Sequence, residues 1–424
     1  MAPIEFRLLP DSAIVEADGS LSVGGCSLVE LAAQFGTPLF VYDVEHIRTR
    51  ARGAVAAFGP GRVIYATKAF LCRALVKVAH EAGLLFDVAS GGELHVVLDA
   101  GVPAASCIMH GNNKSVDELR QAITARVRRI VVDSFDELDR LDSLHRDGLA
   151  VPDVLLRVTP GVHAHTHTYI ATGQNDSKFG FNLANGDAER AARRAQRSSS
   201  VNLVGFHCHI GSNVFVSDSF AKAASVMASF AAPFGLAELV LGGGLGVAYV
   251  AGESAPSISD WAAAVLDSCR SAGVTGEVSV EPGRALVAGA AVTLYTVGTI
   301  KQIPGVRTYI AVDGGMSDNP RPVLYGSGYE AFLPRATDAP RPRRTTIVGK
   351  HCESGDVLVR DAQVPEDLAV GDVLATPVTG AYGHSMGSNY NKVLRPAVLF
   401  VADGRAREVV RRETLDDLLR HDVR

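Results

Sequence analysis

The sequence has few of the features that mark exported, membrane-bound or nucleic-acid-binding proteins. Its formal net charge of −5 leaves no positive excess for nucleic acid or an anionic membrane surface. The N-terminus lacks the basic and apolar stretches of a signal peptide. The six cysteines are scattered without a Cys-x-x-Cys pair, which favours reduced thiols. We therefore expect a cytoplasmic protein without a nucleic-acid or membrane partner.

Long hydrophobic runs are also scarce. The uncharged stretch at residues 285–300 is short for a membrane-spanning helix and rich in β-branched residues, so buried strands are expected there. What the sequence does have is 424 residues, of which 47% are hydrophobic and 21% are charged. This length and composition indicate a globular protein of two domains, one of which is long enough to be a barrel.

Residues 37–284 alternate between short β-branched runs and amphipathic helical stretches such as 71–82. Continuous apolar strands separated by helices are typical of a parallel sheet covered by helices. Eight such units close naturally into a (β/α)8 TIM-like barrel, although an open, doubly wound sheet produces the same local pattern. The predicted strands are 63–67, 84–89, 107–110, 130–133, 154–158, 203–209, 238–241 and 277–280.

The remaining residues, 1–36 and 285–424, predict a second, mostly antiparallel β-barrel domain, because short strands follow one another between Gly, Pro and Asp turns. We expect strands at 6–8 and 14–16 near the N-terminus, a helix around 413–419, and an exposed Pro/Arg-rich loop at 334–344. The other strands expected in this domain are 291–300, 307–312, 345–348, 356–358, 372–375 and 397–401.

Polar or glycine residues follow nearly every predicted barrel strand. Barrel enzymes carry their chemistry at the carboxyl ends of the strands, so these residues are expected to converge on one mouth. They are Lys68, Ser90 to Glu93, His110 to Asn113, Ser134, Arg157, His209, Gly211 to Asn213, Gly242 to Gly244, and Glu281 to Arg284.

Lys68 stands directly after the first predicted strand. A surface lysine in a loop is the ordinary explanation for such a residue. The position at a barrel mouth favours a reactive lysine instead, because a desolvated amine is suited to imine formation.

Three further residue types suit a phosphorylated, ring-shaped cofactor. The turn from Gly242 to Gly246 lets backbone N–H groups approach an anion, but Val247 breaks the Gly-x-Gly-x-x-Gly pattern of dinucleotide sites. Glu281 offers a carboxylate to a pyridine nitrogen. His209 is a candidate for stacking or proton transfer, with a core histidine as the plain alternative.

A metal site is the competing interpretation of the histidines. His163, His165 and His167 alternate, as do His207 and His209, and alternation places side chains on one face of a strand. No carboxylate or second histidine pair completes a set at ligand spacing, so a catalytic metal is not predicted.

Taken in order, the motifs of this chain resemble those of the alanine-racemase-type (fold type III) pyridoxal-phosphate-dependent decarboxylases. The closing segment 380–391, Gly-Ala-Tyr-Gly-His-Ser-Met-Gly-Ser-Asn-Tyr-Asn, is similar to the diaminopimelate branch of that family. The other matching motifs are 65–69, 86–94, 110–115, 177–181, 207–212, 242–246, 281–284, 313–316, 321–325 and 352–356.

The resemblance implies a cofactor, a reaction and a set of site residues. Pyridoxal 5'-phosphate is the implied cofactor, carried on Lys68 with His209 stacked on its ring, and Cys352 is the implied proton donor after CO2 leaves. The implied reaction converts meso-2,6-diaminopimelate to L-lysine and CO2. The residues implied to bind the cofactor are Lys68, Asp87, His209, Ser212, Gly243, Gly244, Glu281, Gly283, Arg284 and Tyr382. Those implied to bind the substrate are Arg284, Arg321, Tyr325, Glu353 and Tyr382.

These implied roles are chemically consistent. Arginine grips carboxylates bidentately, and Glu353 supplies the charge opposite to an ammonium group. A thiol near a cationic cofactor is a plausible acid, whereas a buried inert thiol is the plain alternative for Cys352. In the family, Cys352 and Glu353 come from a second subunit, which implies a homodimer with composite sites.

Two departures and two alternatives remain open from the sequence. Phe70 and the segment Gly326-Ser327-Gly328 differ from the family pattern at the edge of the implied pocket. One alternative is a decarboxylase of a related basic amino acid or carboxylated polyamine; the other is an inactive regulatory relative. Arg284 and Arg321 argue against the first, because substrates without a distal carboxylate leave them unpaired.

Overall fold

The structure, a computed structural model, describes residues 3–162, 174–215 and 217–423, and the chain divides into two compact units. The barrel unit consists of Arg50–Gly246 and Ala255–Ala285. The β-rich unit consists of Met1–Thr49, Val247–Ser254 and Leu286–Arg424.

Eight parallel strands form the barrel, each paired with the next barrel strand, and a ninth short strand, Phe181–Asn182, pairs with the end of the fifth. A parallel bridge between Val63 and Val280 joins the last strand to the first, as does a hydrogen bond from Ala66 N to Pro282 O of 3.2 Å. The sheet therefore closes, which confirms the TIM-like barrel and excludes the open sheet. The strands, first to eighth, are Ile64–Ala66, Leu85–Val88, Cys107–Met109, Arg129–Val132, Asp153–Thr159, Asn202–His207, Glu238–Val240 and Glu277–Ser279.

Helices alternate with the barrel strands, and serine side chains cap several of them. Ser90, Ser115, Ser134 and Ser257 each accept a backbone N–H from the first turn of the helix that follows. The predicted helix at 71–82 is present as Arg73–Glu81. The other helices in this part of the chain are Val44–Phe58, Gly91–Asp99, Val116–Ala125, Phe135–Arg146, Asp187–Arg197, Ser217–Ala231, Ile258–Ser271 and Arg284–Val287.

A buried cluster of aliphatic side chains draws on five of the barrel strands. Its members are Ile64, Ile108, Val131, Leu155 and Val240, and each is at most 3% exposed. Burial of these side chains stabilises the closed sheet. The polar residues predicted above lie outside this cluster, at the strand ends.

The β-rich unit is built on a mostly antiparallel sheet. Its long strand Ala291–Ile303 pairs with Leu39–Asp43, Arg307–Val312 and Val373–Pro377. The remaining strands of this sheet are Arg343–Val348, Val357–Val364, Ala397–Ala402 and Arg405–Val410. A separate three-stranded sheet contains Ile14–Val15, Leu21–Val23 and Cys26–Ser27, and the helices of this unit are Leu28–Phe35 and Arg321–Tyr325.

Three expectations for the β-rich unit are wrong. Phe6–Leu8 is a 3-10 helix and not a strand. The helix expected around 413–419 is reduced to the 3-10 turn Asp417–Leu419, because an isolated segment this short cannot offset the cost of helix nucleation. The segment 334–344 is not simply an exposed loop, since Arg341 is buried and lies 3.2 Å from the carboxylate of Glu330.

Among the described residues, no helix combines the length and the apolar character needed to cross a lipid bilayer.

Candidate active site

Lys68 lies in the 3-10 turn Thr67–Ala69, directly after the first barrel strand. Two hydrogen bonds fix this turn: the Thr67 hydroxyl donates to Asp87 O at 2.7 Å, and the Tyr65 hydroxyl donates to Phe70 O at 2.7 Å. Lys68 is exposed in the single chain. The expectation that its amine is desolvated is therefore wrong for one chain alone. The amine is presented at the end of a rigidly held strand.

His209 and the glycine turn lie against each other. Gly243 N donates to His209 Nδ1 at 3.3 Å. The imidazole has a pKa well below its ordinary value, because it is surrounded by protein atoms and feels the positive charges of Lys68 and Arg157. His209 is therefore held neutral close to the amine of Lys68.

Glycine is required in this turn by close packing. A Cβ atom at Gly243 would lie 1.9 Å from Glu281 O, and one at Gly244, where φ is +109°, would lie 2.1 Å from Gly211 O. Any side chain here would collide with backbone that cannot move aside. The turn consequently exposes bare peptide groups at the carboxyl ends of the strands, the arrangement that suits a phosphate.

Ser212 and Arg284 are brought together although 72 residues separate them in the sequence. The Arg284 guanidinium donates to the Ser212 hydroxyl at 2.9 Å, and Arg284 is only 6% exposed. Gly283 packs against the end of the first strand, where a Cβ would come within 3.0 Å of the Ala66 Cβ. A hydroxyl and a guanidinium at this edge are donors suited to an anion.

Glu281 lies between two buried imidazoles. His207 Nε2 is 2.9 Å from one carboxylate oxygen, and His110 Nε2 is 3.0 Å from the other. Asp87 Oδ1 lies 3.7 Å from the same nitrogen of His110. Burial raises the pKa of Glu281, but the two histidines outweigh it and hold that pKa well below its ordinary value.

Two features of the barrel's strand ends were not predicted from the sequence. His110 and His207 appeared there among polar clusters and metal candidates, without a link to Glu281. Lys114 was only part of a motif, yet its ammonium is buried 2.9 Å from Glu137 Oε1 and donates to Gly111 O at 2.6 Å. The only signal in the sequence was a lysine close to the end of a predicted buried strand, because an ammonium that is buried there needs a carboxylate partner.

In the β-rich unit, Arg321 begins a short helix that ends with Tyr325. Arg321 is 3% exposed, and its guanidinium lies 4.2 Å from the ring centre of Tyr249 and donates to the Tyr329 hydroxyl at 2.5 Å. Cation–π contact and one phenol stabilise the charge without neutralising it.

Cys352 and Glu353 are both exposed on a loop of the β-rich unit. Asn391 Oδ1 accepts a hydrogen bond from Cys352 N at 3.3 Å, and the Tyr390 hydroxyl donates to the Glu353 carboxylate. The loop is thus fixed by residues of the 380–391 motif, while its thiol and carboxylate face outwards.

Tyr382 adopts a φ of +59°, in the left-handed region that non-glycine residues rarely occupy. Such a conformation persists only where the surroundings impose it, and it is common at functional sites.

The structure therefore places the predicted residues in two groups. Lys68, Asp87, His209, Ser212, Gly243, Gly244, Glu281, Gly283 and Arg284 lie at or beside the carboxyl ends of the barrel strands. Arg321, Tyr325, Cys352, Glu353 and Tyr382 lie in the β-rich unit. His163, His165 and His167 fall outside the described residues.

Comparison with known proteins identifies the family of the chain. Residues 44–288, more than half of the chain, match the pyridoxal binding domain of the pyridoxal-dependent decarboxylases. A diaminopimelate decarboxylase of Mycobacterium tuberculosis is 46% identical, with 96% of this chain and 95% of the relative covered. One from Bacillus subtilis is 45% identical over the same shares.

The fold also matches a solved structure. The crystal structure of diaminopimelate decarboxylase from M. jannaschii in co-complex with L-lysine has a TM-score of 0.89 and 32% sequence identity, and the match covers 98% of each chain. The chain therefore belongs to the pyridoxal-dependent decarboxylase family and is a pyridoxal-phosphate-dependent enzyme.

Proposed function

We propose that this enzyme decarboxylates meso-2,6-diaminopimelate to L-lysine and CO2, the last step of lysine biosynthesis, in the cytoplasm. The observation that carries the proposal is Arg321. Its guanidinium is buried among phenol rings, and its Nε has no hydrogen-bond partner among the described residues. A buried cation in this state favours a substrate that brings a second carboxylate.

The residues of the barrel unit fit the cofactor. The bare glycine turn with Ser212 and Arg284 suits the phosphate, and Glu281 suits the pyridine nitrogen. Lys68 supplies the amine for the aldehyde, with the neutral ring of His209 beside it. When bound, pyridoxal phosphate withdraws electrons from the α-carbon of the substrate, which lets CO2 leave.

We assign the steps on the substrate to residues of the β-rich unit. Arg321, with Tyr325, holds the distal carboxylate, and Glu353 pairs with the distal ammonium. Cys352 returns a proton to the α-carbon after CO2 leaves. Its thiol and the Glu353 carboxylate are exposed in the single chain, which supports the proposal that they complete the site of a second subunit in a homodimer.

Release of CO2 from labelled substrates tests the proposed reaction. Purified enzyme supplied with pyridoxal phosphate is compared on meso-diaminopimelate, ornithine, arginine and lysine. We expect turnover of meso-diaminopimelate far above that of the other three. Preference for a diamino monocarboxylate would overturn the substrate assignment.

Substitution of Arg321 tests the carboxylate contact. Arg321→Ala is expected to raise KM for meso-diaminopimelate by about tenfold or more, because a charged hydrogen-bonded pair is lost, while cofactor binding stays unchanged. The control is Arg335→Ala, whose guanidinium pairs with Asp367 and Asp372 in the same unit. An unchanged KM in Arg321→Ala removes this residue from the substrate site.

A further inference from the structure

His110, His207 and Glu281 form a compact buried cluster at the ends of three barrel strands. The three side chains are 8%, 1% and 5% exposed, respectively. The two imidazole rings meet edge to face, with centroids 5.0 Å apart and an interplanar angle of 71°. The cluster is therefore a fixed arrangement and not a set of surface groups that adapt to solvent.

Each histidine contacts a different oxygen of the Glu281 carboxylate. His207 Nε2 lies 2.9 Å from Oε2, and His110 Nε2 lies 3.0 Å from Oε1. Two contacts on different oxygens fix the rotation of the carboxylate as well as its position. Each ionised oxygen still has a second lone pair, so Glu281 can accept a further hydrogen bond.

The protons of the two rings can be assigned from their surroundings. His207 Nδ1 is buried and has no hydrogen-bond partner among the described residues. A proton there would be a buried donor without an acceptor, so a neutral His207 carries its proton on Nε2 and donates to Glu281. Burial and nearby positive charge lower the pKa of His207, which agrees with the neutral form.

His110 is the ring whose charged form its neighbours favour. Burial lowers its pKa, but Asp87 at 3.7 Å and Glu281 outweigh that effect, and the pKa lies above the ordinary value. Arg157, which lies 3.6 Å from Asp133, contributes the opposing positive charge in this part of the barrel. His110 thus links the two predicted cofactor-binding carboxylates, Asp87 and Glu281.

A metal ion is the competing explanation, since donor atoms of the three residues lie within 4.8 Å of one another. Coordination needs deprotonated ring nitrogens at about 2.0–2.2 Å from one ion. Here both Nε2 atoms are at hydrogen-bonding distance from separate oxygens, and His110 is favoured in its protonated form by two carboxylates. The geometry is that of a carboxylate hydrogen-bonded to His207 and ion-paired with His110.

We propose that His110 and His207 are positioning residues that hold Glu281 ionised and correctly turned to keep a proton on the pyridine nitrogen of the cofactor. This inference rests on the proposed assignment of Glu281 to that nitrogen. Asp87 belongs to the same group of interacting residues, because the Asp87 carboxylate favours the charged form of His110.

The test uses a matched pair of substitutions at each histidine. In His110→Gln and His207→Gln the side-chain amide can reach Glu281 from the place of Nε2, whereas the shorter Asn cannot. Gln and Asn are both neutral and polar. A difference between them therefore reports the lost contact with Glu281 and not the loss of a buried polar group. Glu281→Gln removes the negative charge and serves as the reference.

Two readouts are independent of turnover. The ¹⁵N chemical shift of the ring nitrogen in labelled pyridoxal phosphate reports whether it is protonated, and equilibrium dialysis gives the cofactor dissociation constant. We expect the Asn variants to shift towards the unprotonated signal and to bind the cofactor about tenfold more weakly, the effect of one lost charged hydrogen bond. His207→Gln should stay within about threefold of the wild type, because it replaces one neutral donor with another. His110→Gln also removes the positive charge between Asp87 and Glu281, so it should fall between the wild type and His110→Asn.

The outcomes separate this inference from the assignment beneath it. If Glu281→Gln leaves the ring-nitrogen signal unchanged, the assignment of Glu281 itself is wrong. If Glu281→Gln moves the signal and both Asn variants do not, the role of the histidines is overturned. One equivalent of metal in the wild type that is lost in the Asn variants also overturns it. If an Asn variant does not fold, its partner at the other histidine carries the comparison, because each contacts a separate oxygen.

Discussion

Two carboxylates, Glu281 in the barrel unit and Glu353 in the β-rich unit, are both expected to act at the active site, yet their settings differ. Glu281 is buried between two imidazoles at the ends of strands that the barrel closes. Glu353 is exposed, and its partner is the hydroxyl of Tyr390, which is itself 40% exposed. A single chain thus completes the surroundings of the first carboxylate and leaves the second open to a partner. This difference favours a cofactor site made by one chain and a substrate site that needs two.

Loss of Lys68 is the largest expected effect, and it tests the barrel side of the comparison. Lys68→Ala should lose the visible absorption of the lysine-bound cofactor and essentially all decarboxylation, because Lys68 supplies the amine for the aldehyde. The control is Lys77→Ala, an exposed lysine on the helix Arg73–Glu81. Absorption that persists in Lys68→Ala means that the cofactor is held elsewhere.

Cys352 tests the β-rich side. Cys352→Ala should lower kcat by about 10²–10⁴-fold, as for a lost proton donor, with the cofactor spectrum unchanged. Mixing inactive Lys68→Ala and Cys352→Ala chains tests whether the thiol serves a second subunit. If it does, each mixed dimer contains one intact site, and random pairing restores about a quarter of wild-type activity. No recovery in verified mixed dimers places both residues in one chain's site.

Tyr390 is the positioning contact of the exposed carboxylate. Tyr390→Phe should raise KM for meso-diaminopimelate a few-fold, since one hydrogen bond worth about 1 kcal/mol is lost, with kcat and cofactor affinity unchanged. Tyr309→Phe, at a strand of the same unit, is the control. A fall in kcat without a change in KM would show that Tyr390 acts on the chemistry and not on the position of Glu353.

Asp318 is expected to affect stability alone and to leave activity unchanged. Burial raises its pKa from 3.8 to about 7, against hydrogen bonds donated by the Tyr295 hydroxyl and Gly315 N. Because the folded state binds this proton more tightly, the stability it contributes is full below pH 3.8 and is lost as pH rises through about 7.

Asp318→Asn imitates the protonated form and should flatten that dependence. We expect the urea midpoint of the wild type to fall more between pH 5 and pH 8 than that of Asp318→Asn. Asp361→Asn, at an exposed residue, should behave like the wild type. Equal slopes in all three proteins would mean that Asp318 does not titrate in this range.

Much of the fold was accessible from sequence because the signals are local. Each of the eight predicted barrel strands overlaps an observed one, since a buried parallel strand needs a continuous apolar run. The strand at Leu39–Asp43 shows the limit of this approach. It is apolar like a barrel strand, but it pairs with Ala291–Ile303 and Ala397–Ala402 in the β-rich sheet. Local pattern reports that a strand is buried and says nothing of its partner.

For the site, the sequence by itself determined which residues stand at the strand ends, because strand and loop lengths are local properties. Lys68, the glycine turn and Glu281 were found in this way, and the order of motifs indicated the family. Only the tertiary structure decided which of them touch. The contact of His207 with Glu281 spans 74 residues, and the choice of partner depends on where two strands end in space. Burial was decided there too: Lys68 is exposed, whereas Glu281 is enclosed. Charge and solvent access follow from three-dimensional packing, which no local pattern encodes.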